Sequence, residues 1–458
     1  MPTHVGSATI DPDPARAAAI FGEACAIALA PAVALRGQAG GFGGRRCAMS
    51  GDLVARDAAA FFHQDGSSPC VSALHAVEGA WLEDDTGRRL LDLHGNTAHH
   101  IGHAHPELIA ALKDQLDTLP FSPRRFTNEP AVGLAETLLS KWPGAPARVL
   151  FATGGSDAIE IALKLARVAT GKPETISIEG SYHGHGFGAF GLSRAAPDAR
   201  LGPFLPGRHH VTPYWHPDNG ALRMVADVQR ALESSSRIGA LIAEPIRSNG
   251  HVPPPWLWPQ IRQLCDAHGV LLIFDEIPSG LGKTGRFFAF EHVGATPDAV
   301  VLGKALGGGI LPIAAVIADA RLNLAPELSL GHYTHEKNPM TTRAALTTIG
   351  IIERQNLVAR AARLEEEIRT RVARLREDSP LVDHVRGKGL LLVIGLDPDR
   401  VDAARWPIAA IIDHLRDHGL STTAKDRSSF GFSPPLTISD AELDWALDRL
   451  GEAMASPG

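Results

Sequence analysis

Leu271-Leu-Ile-Phe-Asp275-Glu276 is a short apolar run that ends in an acid. A second run, Asp298-Ala-Val-Val-Leu-Gly-Lys304-Ala-Leu-Gly-Gly-Gly309, follows it and places a lysine after its apolar residues. Short apolar runs of this kind predict buried strands. The glycines around Lys304 let the backbone approach a bulky group closely, so both charged residues are expected at strand ends beside a ligand.

A lysine and a carboxylate at neighbouring strand ends are what pyridoxal phosphate requires. A lysine amine holds the aldehyde of this cofactor as a Schiff base, and a carboxylate keeps its ring nitrogen protonated so that the ring withdraws electrons. A lysine alone would indicate little, because most lysines are solvated surface charges. The pair Asp275 and Lys304 therefore predicts pyridoxal 5'-phosphate as cofactor, with both residues catalytic.

Composition is that of a large soluble enzyme. A chain of 458 residues exceeds one core and indicates roughly two or three domains. The net charge of −7 gives no footprint for nucleic acid or for an anionic membrane. No apolar run reaches the length of about 18 residues that a membrane span needs. The scattered cysteines (Cys25, Cys47, Cys70 and Cys265) form no Cys-x-x-Cys pair and are typical of free thiols, so a cytoplasmic protein is expected.

Between residues 148 and 317, β-type runs alternate with helical stretches. That alternation predicts an α/β fold with a mainly parallel, doubly wound sheet. The runs are Val149-Leu-Phe-Ala, Thr175-Ile-Ser-Ile, Ala240-Leu-Ile-Ala, Val270-Leu-Leu-Ile-Phe, Ala299-Val-Val-Leu and Ala314-Ala-Val-Ile.

The remaining segments suggest smaller units around this sheet. Residues 80–93 predict a hairpin with an Asp-Thr-Gly turn, and residues 341–377 predict one long helix. A weak helical pattern covers residues 15–34. The expected organisation is an N-terminal arm (1–75), the N-terminal part of a small domain (76–120), a large cofactor-binding domain (121–340), and a linking helix with a small C-terminal α+β domain (341–458).

Two further motifs stand at predicted strand ends. Phe151-Ala-Thr-Gly-Gly155-Ser156-Asp-Ala precedes a helix, and free N–H groups at a helix start attract phosphate, although an ordinary N-cap would look the same. Gly180-Ser-Tyr182-His183-Gly-His-Gly places an aromatic ring between glycines, where it could stack on a flat ligand or form a His-rich turn. Each motif is ambiguous when taken alone.

Taken together, the motifs resemble the class III aminotransferases, the ornithine and γ-aminobutyrate aminotransferase family of fold type I. The resemblance covers about residues 75–450 and implies a seven-stranded sheet. The motifs that carry it are Gly102-His103, Gly154-Gly155-Ser156, Tyr182-His183-Gly184, Glu244-Pro245-Ile246, Asp275-Glu276, Lys283-Thr284-Gly285, Gly303-Lys304, Thr334 to Asn338-Pro339, and Pro434-Pro435-Leu436-Thr437.

The resemblance also implies a role for each of these positions. Lys304 would bind the cofactor and carry protons, and Glu244 would orient Asp275 on the pyridine nitrogen. Thr334 would reach the phosphate of the other subunit's cofactor, which implies a homodimer with shared active sites. The remaining cofactor contacts would be Gly155 and Ser156 on the phosphate, Tyr182 and Ile277 on the two ring faces, and His183 in the loop of Tyr182.

Three positions depart from the pattern of the family's amino-acid transaminases. Pro278 stands where a glutamine donates to the ring hydroxyl. Asn249 and Gly431 stand where a glutamate gates an arginine that binds the substrate carboxylate. A buried carboxylate needs a cation, commonly a bidentate arginine. Either another basic residue such as Arg247, Arg427 or Lys425 takes this role, or the enzyme has no keto-acid half-reaction.

The second alternative exists within the family as ammonia-lyases. The chain is similar to the 2-amino-1-hydroxyethylphosphonate ammonia-lyase branch in Leu93-His-Gly-Asn96, Phe121-Ser-Pro-Arg124-Arg125-Phe-Thr127, Asp275-Glu-Ile-Pro-Ser-Gly280 and His332-Tyr-Thr-His-Glu-Lys337. The favoured function is lyase action on a small amino-phosphonate, and the alternative is a transaminase acting on an amine or ω-amino acid. The candidate cations for the phosphonate are Arg124, Arg125, Arg247 and Arg427.

A cluster of histidines could suggest a metal site. The resemblance instead assigns Gly102-His103 and His105-Pro106 to a structural turn, so no metal is expected from His99, His100, His103 and His105.

Overall fold

The structure, a computed structural model, describes residues 50–455 except 65–67, 69, 145, 194–198, 203 and 404. The helical pattern expected at residues 15–34 lies outside the described residues, as do Cys25 and Cys47. Within the described part, no helix combines the length and the apolar character needed to cross a membrane.

Strands and helices are numbered here in chain order. The strands are β1 (Leu74–Glu78), β2 (Trp81–Asp84), β3 (Arg89–Asp92), β4 (Ala147–Ala152), β5 (Glu174–Ile178), β6 (Arg208–Val211), β7 (Ile238–Ala243), β8 (Leu271–Asp275), β9 (Ala299–Leu302), β10 (Ala314–Asp319), β11 (Val382–Lys388), β12 (Leu391–Leu396), β13 (Leu420–Ser421), β14 (Ala424–Asp426) and β15 (Ser429–Phe432). The α-helices are α1 (Ser50–Ala60), α2 (Pro106–Thr118), α3 (Glu129–Lys141), α4 (Gly155–Thr170), α5 (Phe187–Ser193), α6 (Gly220–Ser234), α7 (Leu257–His268), α8 (Pro339–Arg354), α9 (Leu357–Asp378), α10 (Pro398–Ala403), α11 (Ile408–Asp417) and α12 (Asp440–Ala455). Short 3-10 turns lie at Gly95–Thr97, Ala199–Leu201, Ala289–His292, Lys304–Gly307 and Ala320–Leu322.

Seven strands form the large sheet in the order β4-β10-β9-β8-β7-β5-β6. Strand β10 runs antiparallel to β4 and β9, and the other pairs are parallel. Every residue of β7 and β9 is buried. Strands covered on both faces need apolar residues throughout, which explains their unbroken apolar runs. The predicted mainly parallel, seven-stranded sheet is confirmed.

Strand β6 has no counterpart among the apolar runs read from the sequence. Arg208, His209 and His210 are partly exposed, whereas Val211 is buried. The strand lies at the edge of the sheet and pairs with β5 alone. An edge strand with one open side tolerates polar residues, so it carries no apolar signature.

The prediction of a single helix over residues 341–377 is wrong, because the helical segment is interrupted. The structure has two helices, because Asn356 adopts a left-handed conformation with φ 52° and ψ 39° between α8 and α9. Asparagine enters this region more readily than most residues, since its short side chain can bond locally. The chain changes direction there.

Two smaller sheets lie beside the large one. The first has the order β1-β2-β3-β13, and β13 pairs parallel with β3, so residues from both ends of the described chain share a sheet. The predicted hairpin is confirmed as β2 and β3. The second sheet is antiparallel, with the order β11-β12-β15-β14. The domain limits expected at residues 75, 120 and 340 stay a prediction.

Lys283 connects the loop after β8 to the end of β15. Its side chain is fully buried, and its amine donates hydrogen bonds to the carbonyl oxygens of Ser433 (3.3 Å) and Pro434 (2.6 Å). Burial lowers the pKa of Lys283 to about 7. The end of the second small sheet is thereby fixed against the carboxyl edge of the large sheet, where open α/β sheets bind their ligands.

Candidate active site

A cavity of about 200 Å³ lies at the carboxyl edge of the large sheet. A larger groove of about 820 Å³ runs along β4, but it contains no lysine, so size does not identify the site. The cavity at the carboxyl edge is lined by Gly155, Ser156, Tyr182, His183, Gly184, Glu244, Ser248, Asp275, Ile277, Pro278 and Lys304. Five loops that follow different strands therefore meet at one place.

Asp275 is the last residue of β8 and is buried. Its Oδ2 accepts a hydrogen bond from Nδ1–H of His183 at 2.7 Å, and its Oδ1 accepts from the N–H of Ile277 at 3.1 Å. His183 is itself held, because its backbone N–H donates to Oγ of Ser193 at 2.8 Å. His183 thus fixes the orientation of the carboxylate, a contact that the sequence did not reveal.

Lys304 follows β9 and has a left-handed backbone with φ 45°, which is uncommon for a residue other than glycine. Its side chain is accessible through the cavity, while the surrounding protein excludes most water from the amine. This desolvation lowers the pKa of Lys304, and the charge of Asp275 opposes the shift. A lysine with a lowered pKa keeps more of its amine neutral, as a nucleophile or a proton carrier requires.

The start of α4 forms a cradle for an anion. Its N-cap, Gly154, makes no side-chain hydrogen bond, so N–H groups of the first turn keep no capping partner. A Cβ atom at Gly155 would lie 2.8 Å from Cδ1 of Ile277, and one at Gly184 would lie 2.5 Å from Oγ of Ser156. Glycine is favoured at both positions because a Cβ atom there would collide with Ile277 or Ser156. Free N–H groups and the helix dipole both favour a phosphate there.

These residues fit pyridoxal phosphate. Tyr182 is half exposed beside the cavity, and Ile277 lines it together with Asp275. We propose that Lys304 holds the aldehyde carbon, Asp275 the ring nitrogen, and the start of α4 the phosphate. The bound cofactor supplies an electron sink for a carbanion on the substrate.

Glu244 directly follows β7 and is buried. It accepts hydrogen bonds from Nη1 of Arg247 and from the N–H of Ser248 (3.2 Å). Nη2 of Arg247 donates to the carbonyl of Gly180 at 2.8 Å, and its guanidinium lies 5.4 Å from the ring centre of Trp215. Arg247, expected as a substrate cation, therefore already has protein partners. In the sequence, the spacing of three residues between the acid Glu244 and the base Arg247 could have indicated this ion pair.

The other expected substrate cations lie away from the cavity in this chain. Arg124 lies 3.9 Å from a carboxylate oxygen of Glu336 and lines the larger groove along β4. Arg125 and Arg427 are exposed, and neither lines the cavity. Thr334 is also exposed and lies outside the cavity of its own chain.

Asp92, His99 and His103 lie close enough for their ligand atoms to surround a metal ion, with all three atoms within 4.8 Å of one another. They are also bonded together, since Nε2 of His103 lies 2.8 Å from Oδ2 of Asp92. Burial lowers the pKa of His99 to about 3. Hydrogen bonding within the cluster explains the arrangement, and the expectation of no metal stays a prediction.

The chain matches known proteins over most of its length. Residues 62–454 match the family model described as aminotransferase class-III. The chain is 37% identical over 429 residues to a (R)-1-hydroxy-2-aminoethylphosphonate ammonia-lyase of Vibrio splendidus, covering 88% of this chain and 90% of that protein. It is 36% identical over 397 residues to an acetylornithine aminotransferase of Mycolicibacterium smegmatis, covering 86% and 95%. The crystal structure of an amine transaminase from an uncultivated Pseudomonas species, in its PLP-bound form, is similar with a TM-score of 0.76 at 30% identity, covering 87% of this chain and 99% of that one.

Proposed function

The chain belongs to the class III aminotransferase family and is a pyridoxal-phosphate-dependent enzyme, and from this premise we propose that it is an ammonia-lyase of a small amino-phosphonate. The proposed substrate is 2-amino-1-hydroxyethylphosphonate, and the products are phosphonoacetaldehyde and ammonia. The similarity to the Vibrio enzyme supports this reaction.

One observation carries the proposal. A transaminase binds the carboxylate of a keto acid in its second half-reaction, and a buried carboxylate needs a cation. The arginine that the family uses is replaced by Gly431, and its gating glutamate is replaced by Asn249. A lyase has no second half-reaction, so neither residue is needed.

The proposed reaction is balanced without an oxidant or a keto acid. Lys304 takes the proton from the amine-bearing carbon, and the bound cofactor would supply the electron sink for the electrons of that C–H bond. The C–O bond on the neighbouring carbon then breaks, and its hydroxyl leaves as water after protonation. Addition of one water to the resulting unsaturated amine gives one aldehyde and one ammonia. Asp275 would keep the ring nitrogen of the cofactor protonated, and this positive charge makes loss of the proton from carbon possible. His183 fixes the orientation of Asp275 through a hydrogen bond.

Incubation of the cofactor-loaded enzyme with 2-amino-1-hydroxyethylphosphonate tests this reaction. Ammonia and aldehyde should appear in a one-to-one ratio without any keto acid, and added pyruvate should leave the rate unchanged. Strict dependence on pyruvate or 2-oxoglutarate, with accumulation of alanine or glutamate, would show a transaminase instead.

The transaminase is the alternative function, because the chain is also similar to acetylornithine aminotransferases over most of its length. It would move an amino group from an amine or ω-amino acid to a keto acid. The same incubation separates the two functions, since only a transaminase consumes the keto acid.

We also propose a homodimer in which each active site is shared. The support is the exposure of Thr334, which lies outside the cavity of its own chain but is expected to reach a phosphate. Dilution until the protein dissociates should release the cofactor, as measured by light scattering and visible absorbance. A fully active monomer would rule out a shared site.

A cytoplasmic location is proposed as well. The support is that the buried Cys265 is a free thiol, as expected in a reducing compartment. Detection of the protein outside the cytoplasmic fraction of its cells would contradict this location.

A further inference from the structure

Lys425 lies in the space that a side chain at Gly431 would need. The hairpin of β14 and β15 brings the two residues together, with the N–H of Gly431 donating to the carbonyl of Thr423 at 3.0 Å. A Cβ atom built on Gly431 would lie 3.0 Å from Cε of Lys425 and 3.7 Å from its Nζ. The ammonium group of Lys425 therefore stands next to the backbone position from which the family's arginine extends.

This position lies on the sheet face that packs against the loop after β7, which carries two residues of the cavity lining. Arg386, Val393 and Gly431 are direct partners across β11, β12 and β15, so they lie in one row on one face of the second small sheet. The loop after β7 packs on this row, because a Cβ at Gly250 would lie 2.9 Å from Cγ2 of Val393. The same loop carries Glu244 and Ser248, which line the cavity. The row therefore faces the carboxyl edge of the large sheet.

The backbone that carries Lys425 is held in place by its neighbour. Asp426 accepts a hydrogen bond from Nη2 of Arg386 at 2.8 Å, and Nε of Arg386 donates to the carbonyl of Asn249 at 3.1 Å. Among the described residues, by contrast, no acceptor for the ammonium group of Lys425 is found. Lys425 differs in this respect from Arg247, whose guanidinium bonds to Glu244 and to the carbonyl of Gly180.

We propose that Lys425 binds the anionic group of the substrate, in place of the arginine that Gly431 does not supply. The inference rests on the proposed function in that it takes the substrate to be a small amine with a phosphonate group. A single ammonium on a hairpin can donate to any oxygen of a tetrahedral phosphonate, because lysine binds phosphate-like groups as a point charge.

The electrostatic surroundings agree with this role. Desolvation and the charges of Lys304, Arg247 and Arg386 together lower the pKa of Lys425 to about 8. These cations are thus close enough to Lys425 to act on its charge. An incoming dianion would relieve their mutual repulsion, so the cluster is suited to a doubly charged group.

The test compares Lys425→Met and Lys425→Gln with Lys425→Arg in the cofactor-loaded enzyme. The ligand is ethylphosphonate, an anion without an amine, and its binding is measured by isothermal titration calorimetry. Both neutral variants should bind ethylphosphonate about 10- to 100-fold more weakly, the range for a lost charged hydrogen bond. Lys425→Arg should stay within about threefold of the wild type, because it keeps the charge.

Lys113→Met is the matched control, since it makes the same exchange at an exposed lysine of α2 that lies outside the cavity lining. It should leave ethylphosphonate binding unchanged. Equal binding by the wild type and both neutral variants would overturn the proposal, and so would an equal loss in Lys113→Met.

Calorimetry with ethylphosphonate does not depend on which reaction follows binding. Failure of the lyase would appear as dependence of ammonia release on a keto acid. Failure of the Lys425 assignment would appear as unchanged phosphonate binding. The two failures are therefore separate observations.

Discussion

The two walls of the active site are built in different ways. On the large sheet, Asp275 and Glu244 are buried at strand ends, and each carboxylate is held by protein hydrogen bonds. On the second small sheet, Gly431 and Lys425 lie together on a short hairpin, and the lysine makes no such bond to a described residue. The first wall is preorganised for one cofactor. We expect substitutions on the second wall to change anion binding more than cofactor binding.

Lys304→Ala should have the largest effect, because it removes the proposed proton carrier and the cofactor anchor together. Turnover is expected to fall at least about 10⁴-fold, the upper range for loss of a general acid–base group. The visible absorbance of the bound cofactor should be lost as well, as measured by spectroscopy after gel filtration. Normal turnover in this variant would show that Lys304 is neither the cofactor anchor nor the proton carrier.

Asp275→Asn should have the next largest effect. An amide keeps the size of the side chain but cannot hold the ring nitrogen's proton by charge. The cofactor should remain bound, and kcat should fall about 10³-fold, or about 4 kcal/mol of barrier. Binding of ethylphosphonate should stay unchanged, since Asp275 belongs to the other wall. A near-native kcat would mean that the electron-sink assignment is wrong.

The pH dependence of ethylphosphonate binding sharpens the description of the second wall. The pKa of Lys425 is lowered to about 8, so its charge is present below this pH and is lost as the pH rises through it. Affinity should therefore fall about tenfold more between pH 7 and 9 in the wild type than in Lys425→Arg, which stays charged.

Other groups near Lys425 do not produce this difference. Arginine side chains are not deprotonated in proteins, and burial lowers the pKa of His94 to about 4, so His94 is neutral throughout. Lys304 and the ligand's own ionisation are common to both proteins and cancel in the comparison. Parallel pH profiles for the two proteins would assign the anion to another group.

Gly431→Ala should have the smallest effect on the site. The new methyl group would lie 3.0 Å from Cε of Lys425, close enough that the flexible side chain must shift by a few tenths of an ångström. Ethylphosphonate should bind roughly threefold more weakly while kcat for the amino-phosphonate changes little. Calorimetry and steady-state kinetics on the same preparation check both parts. Unchanged binding would show that Lys425 has room to adjust.

The cofactor side of the site could be predicted from the sequence because its signals are local. Each charged residue ends an apolar strand or follows one within two residues, as with Asp275 at the end of β8, and parallel strands bring their ends to one edge. The structure brings the predicted residues other than Thr334 together there, and their individual roles stay predictions.

The substrate side could not be predicted in the same way. Arg247 is paired with protein acceptors, whereas Lys425 has none among the described residues. This difference depends on which acceptors surround each cation after folding, and the positions of the two residues in the sequence do not reveal it. The meeting of Lys425 with Gly431 requires the register of the hairpin. Strand β6 and the break at Asn356 were missed for similar reasons, since one is a polar edge strand and the other depends on a single backbone conformation.

Lys283 has a consequence for how such enzymes could diverge. Its amine donates hydrogen bonds to the carbonyl groups of Ser433 and Pro434, which lie just beyond the β14–β15 hairpin. These bonds use backbone atoms, so they do not depend on which side chains the neighbouring hairpin carries. Residues 424–432, which leave out β13 and its pairing with β3, can therefore be treated as an exchangeable cassette. Chimaeras that graft this cassette between relatives should inherit the donor's preference for anions while they keep the recipient's cofactor.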